Sequence, residues 1–171
     1  MLDTVRSVVA MPVAGHQEGS NIYNTLLWYS GQKNKDGSPL DPSTYEVILY
    51  LNKPTDRDWD ETPAEIQRFI ADHPDVPVRV ITREFEPGTF TIGRARKELL
   101  NTVLARQNAR AASHQDLNII SHDADLKGLG ETFIATVADD FESQPVDALT
   151  GRLDWGPGPY IKSPLFQAGV K

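Results

Sequence analysis

Apolar runs of strand length alternate along the chain with stretches in which apolar residues recur every three or four positions. The runs lie at residues 5–13, 45–51, 77–82 and 117–121, and the second is almost continuously apolar. Continuous apolar runs are typical of parallel strands that are buried on both faces. A further run at residues 146–153 predicts a fifth strand.

The stretches between these runs predict four helices. They lie at residues 21–29, from Thr62 onward, at 94–111 and at 128–141. The sequence T-P-A-E at 62–65 has the pattern of a capping box, with Thr62 as the cap and proline in the first turn. Because strands and helices alternate from end to end, we expect an α/β fold: a mostly parallel, Rossmann-like sheet with helices on both faces, in three α/β/α layers.

One domain accounts for this pattern. We expect it to span residues 1–155, whereas residues 156–171 are rich in turn formers and predict an irregular tail. In open parallel sheets, ligands bind at the carboxyl ends of the strands. Four loops are expected at that edge, at residues 11–20, 52–60, 83–93 and 121–127.

Charge and composition narrow the class of partner. The net charge of −7 argues against a general nucleic-acid-binding protein, whose surface would be basic. We expect no transmembrane segment and no signal peptide, and therefore a cytoplasmic protein. Residues 79–110 are locally basic, with seven Arg or Lys against three Glu. Such a segment suits an anionic ligand, although a solvated helix face explains it as well.

Two aspartates, Asp123 and Asp125, follow the apolar run at residues 117–121. Carboxylates at the end of a buried strand are costly unless a cation lies between them. Mg²⁺ and similar ions bind one or two carboxylates together with phosphate oxygens. We therefore predict Mg²⁺ or Mn²⁺ at Asp123 and Asp125, or an aspartate pair divided between the ion and a ribose. The neighbouring His122 is a further candidate ligand.

Other candidate binding residues lie near the same edge. Arg94 and Arg96 are at the start of a predicted helix, where backbone amides favour phosphate. Arg96 is close to the apolar face of that helix, so it either extends outward along the sheet edge or reaches into the crevice. The segment Pro12-Val13-Ala14 ends the first strand and could present backbone groups to a base, while Glu18 could accept from a base or sugar.

Four short segments occur in a fixed order along residues 5–155. The first is MPVAGHQE at 11–18 together with NIYNTL at 21–26. The other three are LNKPTD at 51–56, GRARK at 93–97 and IISHDAD at 119–125. This order resembles that of the family 2 glycosyltransferases, which have the GT-A nucleotide-diphospho-sugar fold. In that family the corresponding motifs are P-x-x-N-E with N-I-x-x-T-L, D-D-x-S-x-D, A-R-N and D-x-D.

The resemblance implies a role for each matching position. Asn52 replaces a base-contacting aspartate, and Asp56 holds the last acidic position of that turn. Arg96 would lie near the diphosphate, and Asp125 would coordinate Mg²⁺ or Mn²⁺. The expected donors are UDP- and GDP-sugars. The implied nucleotide-sugar site comprises Pro12, Val13, Ala14, Glu18, Asn52, Asp56, Arg94, Arg96 and Asp123, with Asp123 and Asp125 as metal ligands.

Two departures from the family pattern bear on base binding and on catalysis, respectively. Asn52 removes a charge, and no Asp or Glu follows Asp154, where the family has its catalytic base. We therefore leave the catalytic residue unknown and expect a glycosyltransferase donor-binding domain, with a partner subunit or a further C-terminal region completing the site. The alternatives are a non-catalytic nucleotide-sugar-binding module, a truncated fragment, and a nucleotidyltransferase. The last is disfavoured because no Gly-rich loop with Lys or Arg follows the first strand.

Overall fold

The computed structural model describes residues 1–110, 116–144 and 146–149. Within these residues, four strands form one sheet in the order β3-β2-β1-β4, and all three pairings are parallel. The elements are β1 (Ser7–Ala14), α1 (Ile22–Ser30), β2 (Tyr45–Pro54), α2 (Thr62–Asp72), β3 (Val78–Phe85), α3 (Ile92–Asn108), β4 (Asn118–Ser121) and α4 (Phe133–Ser143).

Helices cover both faces of the sheet, because the side chains of β1 alternate between two apolar clusters. Val9 and Met11 lie in the cluster that also contains buried residues of α1, α2 and α4. Val8 and Ala10 lie in the opposite cluster, together with the buried face of α3. The predicted three-layer α/β/α fold is confirmed.

Several element boundaries differ from the prediction. β2 continues to Pro54 and β3 to Phe85, because the two strands stay paired up to these residues. Asn52 therefore lies inside a strand, opposite Ala14 of β1, and not in the following loop. α4 begins at Phe133, five residues later than predicted at 128.

The predicted Thr62 cap is wrong. Thr62 is the first residue of α2 and is fully buried, so its side chain faces the core instead of the helix end. Asp60 takes over the capping role, since its Oδ1 accepts a hydrogen bond of 2.8 Å from the Thr62 N–H.

The predicted fifth strand is wrong for its described part. Residues 146–149 do not form a strand, and their side chains are exposed instead of packed between layers. The rest of that prediction, and the predicted tail at 156–171, lie outside the described residues.

None of the helices in the described ranges combines the length and the apolar character needed to cross a membrane.

A close backbone approach closes the turn after β1. The Gly15 N–H donates to Asn52 O at 2.7 Å, and the Asp60 N–H donates to Gly15 O at 3.1 Å. Trp59 lies directly over Gly15, where an added Cβ would be only 2.3 Å from Trp59 Cζ3. The turn after β1 is thus locked to the loop between β2 and α2.

We expect Gly15→Ala to destabilise the fold by about 1–3 kcal/mol, because the new methyl group would displace a packed indole ring. The measurement is the free energy of unfolding in urea. Gly31→Ala is the control, since a Cβ there meets nothing within 4 Å. Equal effects of the two changes would contradict the packing role of Trp59.

Candidate functional site

The aspartate turn lies beside the end of the central strand. β4 pairs with β1 up to the match of Ser121 with Ala10. β1 pairs with β2 up to the match of Ala14 with Asn52. Because the strands are parallel, the residues that follow Ser121 continue toward the edge at which β1 and β2 end.

Ala124 fixes the direction of both aspartates. It is buried in the apolar cluster beneath the sheet edge, whereas Asp123 and Asp125 on either side are exposed. The Ala124 carbonyl accepts a buried hydrogen bond of 2.7 Å from Thr25 Oγ1. The turn is therefore anchored through its middle residue, and both carboxylates are directed outward.

Arg96 reaches this turn from the other side of the sheet. Its Nη2 lies 2.6 Å from Asp123 Oδ1, and the two side chains are 40% and 56% exposed. Arg96 Nε is buried and has no hydrogen-bond partner in the part of the chain that the structure describes. The Arg96 side chain therefore extends to the aspartate turn and pairs with Asp123.

Arg94 has a different partner. Its Nε donates to Glu98 Oε1 at 3.0 Å, one turn further along α3. The Tyr50 hydroxyl also donates to Glu98, and this hydrogen bond, with Arg94, holds the pKa of Glu98 below its ordinary value. At the helix start, Thr91 Oγ1 accepts from the Arg94 N–H at 3.1 Å. Arg94 therefore belongs to an ion-pair network on α3 instead of the aspartate turn.

The basic segment at 79–110 is not one anion-binding surface. Arg106 Nη2 lies 2.6 and 2.8 Å from the two carboxylate oxygens of the buried Glu46, and Arg79 Nε lies 3.4 Å from the same group. Glu46 pairs with Val8 near the start of β1, at the opposite end of the sheet. The segment is divided among separate ion pairs, and Arg96 is the member that meets the aspartate turn.

Two more acidic side chains lie near this turn. Burial raises the pKa of Glu18, and the negative charges of Asp125 and Asp60 raise it further. Asp60 Oδ2 accepts a hydrogen bond of 3.1 Å from the Gly19 N–H. Although burial opposes it, hydrogen bonding by Thr62 and Gly19 lowers the pKa of Asp60. The edge therefore concentrates negative charge, which Arg96 offsets at Asp123 and Lys127 offsets at Glu18.

Asp60 is a residue that the sequence analysis missed. Asp56 was expected to hold the acidic position of this loop, and the structure places it on the exposed surface. Asp60 instead bonds to both the β1–α1 turn and the start of α2. An aspartate two residues before a Thr-Pro helix start is itself a capping signal, so the sequence did contain a clue to its position.

The Val13 carbonyl and the side-chain amide of Asn52 already have hydrogen-bond partners. Asn52 is 3% exposed, and its Nδ2 donates to Val13 O at 3.0 Å and to Tyr50 O at 3.1 Å. Pro12 and Val13 are buried within β1, whereas Ala14 is half-buried. Asn52 therefore ties the ends of β1 and β2 together, and the base contact of the Pro12-Val13-Ala14 segment stays a prediction.

The carboxylates at the turn fit a hard divalent cation whose remaining ligands are supplied by a bound molecule or by water. Asp123 and Asp125 supply carboxylate oxygens, the ligand type that Mg²⁺ and Mn²⁺ prefer. In the described ranges no group of three or more His, Cys, Asp or Glu residues is arranged to hold a metal. An ion here would need phosphate oxygens or water to complete its coordination shell.

The sheet and its flanking helices form an α/β Rossmann-like arrangement. The structure of the mannosyltransferase PcManGT from Pyrobaculum calidifontis, in complex with GDP-Man and Mn²⁺, aligns with a TM-score of 0.50 and 21% sequence identity. The alignment covers 82% of this chain and 33% of that one, so the chain spans about a third of the length of the mannosyltransferase. No family model and no curated protein sequence matches the chain.

We expect Asn52→Asp to destabilise the fold by about 2–4 kcal/mol at pH 7, because a buried carboxylate cannot donate to the two carbonyls. The loss should shrink at pH 4, since burial raises the pKa of the introduced carboxyl and its protonated form donates one hydrogen bond. Urea unfolding at both pH values measures this. Asn101→Asp on the exposed face of α3 is the control, and an equal effect at both positions would contradict the assigned role of Asn52.

Proposed function

We propose that this chain is the donor-binding domain of a glycosyltransferase that uses a nucleoside-diphosphate sugar and a divalent Mg²⁺ or Mn²⁺ ion. The observation that carries the proposal is the outward-facing pair Asp123 and Asp125, joined to Arg96 at the carboxyl edge of a parallel sheet. This edge is where ligands bind in open α/β sheets.

The charge of the site supports the metal requirement. The negative charges of Asp125 and Asp60 both raise the pKa of Glu18, and the positive charge of Lys127 offsets them only in part. A diphosphate alone would be repelled by these carboxylates, whereas a diphosphate bound with a divalent cation would be attracted. When bound, such an ion supplies positive charge that stabilises the departing nucleoside diphosphate.

Arg96 has the second role in this proposal. Its guanidinium group pairs with Asp123 and still carries a buried Nε that lacks a partner in the described ranges. We propose that Arg96 turns from Asp123 to the diphosphate when the donor binds, which leaves Asp123 free for the ion or the ribose. Exposed ion pairs contribute about 0–1 kcal/mol, so this exchange costs little.

The nucleobase is proposed to lie beside the β1–α1 turn, near Ala14 and Glu18. Because the structural neighbour holds GDP-Man, GDP is the first nucleotide to test, with UDP as the second. Pro12 and Asn52 act beneath this surface by holding the strand ends, and Asp56 and Arg94 have no proposed contact with the donor. The proposal concerns donor binding, and a non-catalytic nucleotide-sugar-binding module would show the same binding without sugar transfer.

We expect GDP or UDP to raise the melting temperature only when Mn²⁺ is present, and Asp125→Asn to abolish this shift. The reason is that Asp125 supplies a metal ligand. A ligand at about 100 times its Kd adds roughly 2.7 kcal/mol of stability, which a thermal-shift assay detects. Asp75→Asn, an exposed change in the turn before β3, is the charge-matched control. A metal-dependent shift that survives in Asp125→Asn would exclude the proposed metal site.

We expect Arg96→Ala to weaken Mn²⁺-dependent GDP binding by about 10-fold or more, since hydrogen bonds to charged groups contribute about 1.5–3 kcal/mol. The unfolding free energy should fall by less than about 1 kcal/mol. Titration calorimetry and urea unfolding measure the two effects. Arg68→Ala is the control. Like Arg96, Arg68 is a helical arginine whose guanidinium pairs with a carboxylate, in this case Glu65 at 2.7 Å. A loss of stability without a loss of affinity would make Arg96 purely structural.

A further inference from the structure

His122 is enclosed beneath the aspartate turn. Its ring is parallel to that of the buried Tyr29 on α1, with 10° between the planes and 6.1 Å between the centroids. The Tyr29 hydroxyl contacts His122 Nε2. Burial lowers the pKa of His122 and raises the pKa of Tyr29, so it favours the neutral form of each ring.

The hydrogen bonds of His122 fix its tautomer. Nδ1 lies 2.8 Å from the Asp123 carbonyl oxygen, which can only accept. Nδ1 therefore carries the hydrogen, and in a neutral imidazole Nε2 is then an acceptor. The Tyr29 hydroxyl consequently donates to Nε2. Both ring nitrogens are engaged, so His122 is not available as the metal ligand considered from the sequence.

A second side chain of α1 holds the next carbonyl of the same turn. Thr25 Oγ1 donates to Ala124 O at 2.7 Å. Thr25 and Tyr29 are four residues apart and thus lie on one face of the helix. Two consecutive carbonyls, those of Asp123 and Ala124, are therefore connected to α1, one directly and one through His122.

We propose that His122 is a positioning residue, and that the Tyr29–His122 pair directs the carboxylates of Asp123 and Asp125 toward the donor-bound metal. Fixing the two carbonyls fixes the two peptide planes between these aspartates, and with them the directions of both side chains. Groups that orient metal ligands commonly affect metal affinity by 10–100-fold when they are changed. This inference rests on the proposed donor site.

The first test compares two tyrosine hydroxyls in the same core. Tyr29→Phe removes the donor to His122. Tyr45→Phe removes a buried donor to the backbone carbonyl of Tyr29 at 2.9 Å, and Tyr45 lies at the start of β2, opposite Ser7. We expect Tyr29→Phe to weaken Mn²⁺-dependent GDP binding by about 10-fold or more, and Tyr45→Phe to leave it within about twofold of the parent. Equal losses of affinity in both variants would overturn the positioning role.

The second test needs no ligand. In the free protein, nitrogen NMR should show His122 as the Nδ1–H tautomer. In Tyr29→Phe, the His122 ring signals and the backbone amide signals of residues 123–125 should shift, but not in Tyr45→Phe. Unchanged signals at 123–125 in Tyr29→Phe would overturn the proposal.

A pair of changes at His122 separates positioning from packing. His122→Asn retains an amide donor near the position of Nδ1, whereas His122→Leu retains only apolar bulk. We expect Asn to preserve more of the Mn²⁺-dependent GDP affinity than Leu, and a reversed order would contradict a hydrogen-bonding role. If the parent chain binds neither GDP nor UDP in the presence of Mn²⁺, the proposed function and the metal-directing role both fail. An Nδ1–H tautomer of His122 in that sample would still support the hydrogen bond to Asp123.

Discussion

The arrangement of the whole edge depends on the position of β1 between two parallel neighbours. β1 pairs with β2 on one side and β4 on the other, and its side chains from Ser7 to Val13 are buried. Such a strand cannot shift its register without exposing one of the two apolar clusters. The turn after β1, the loop after β2 and the aspartate turn after β4 are therefore brought to one place by core packing.

Charge is the second constraint, because this packing collects carboxylates at one edge. Asp123 pairs with the Arg96 guanidinium and Asp60 accepts from backbone amides, whereas burial and the neighbouring carboxylates raise the pKa of Glu18. These arrangements tolerate the negative charge but leave Asp125 exposed near Glu18. A bound cation lowers the repulsion among these carboxylates, whereas a bound anion raises it. This is the physical basis of the proposed requirement for a metal ion together with the diphosphate.

The sequence predicted the elements well and their mutual contacts poorly. Burial on both faces gave β1 and β2 a continuous apolar pattern, and the aspartates were placed correctly because they directly follow such a run. The Arg96–Asp123 and Tyr29–His122 contacts join residues 27 and 93 positions apart, which no local pattern encodes. The basic segment at 79–110 misled for the same reason, since the buried Glu46 that neutralises two of its arginines lies on β2.

Asn52 shows how a structural demand can decide the identity of a residue at a binding edge. The carbonyls of Val13 and Tyr50 both need donors, and an amide supplies two hydrogens where a carboxylate supplies none. Asparagine at this position therefore follows from the geometry of the strand ends. Under the proposed function, contact with a base falls to groups such as the Glu18 carboxyl, whose Oε2 is buried without a hydrogen-bond partner among the described residues.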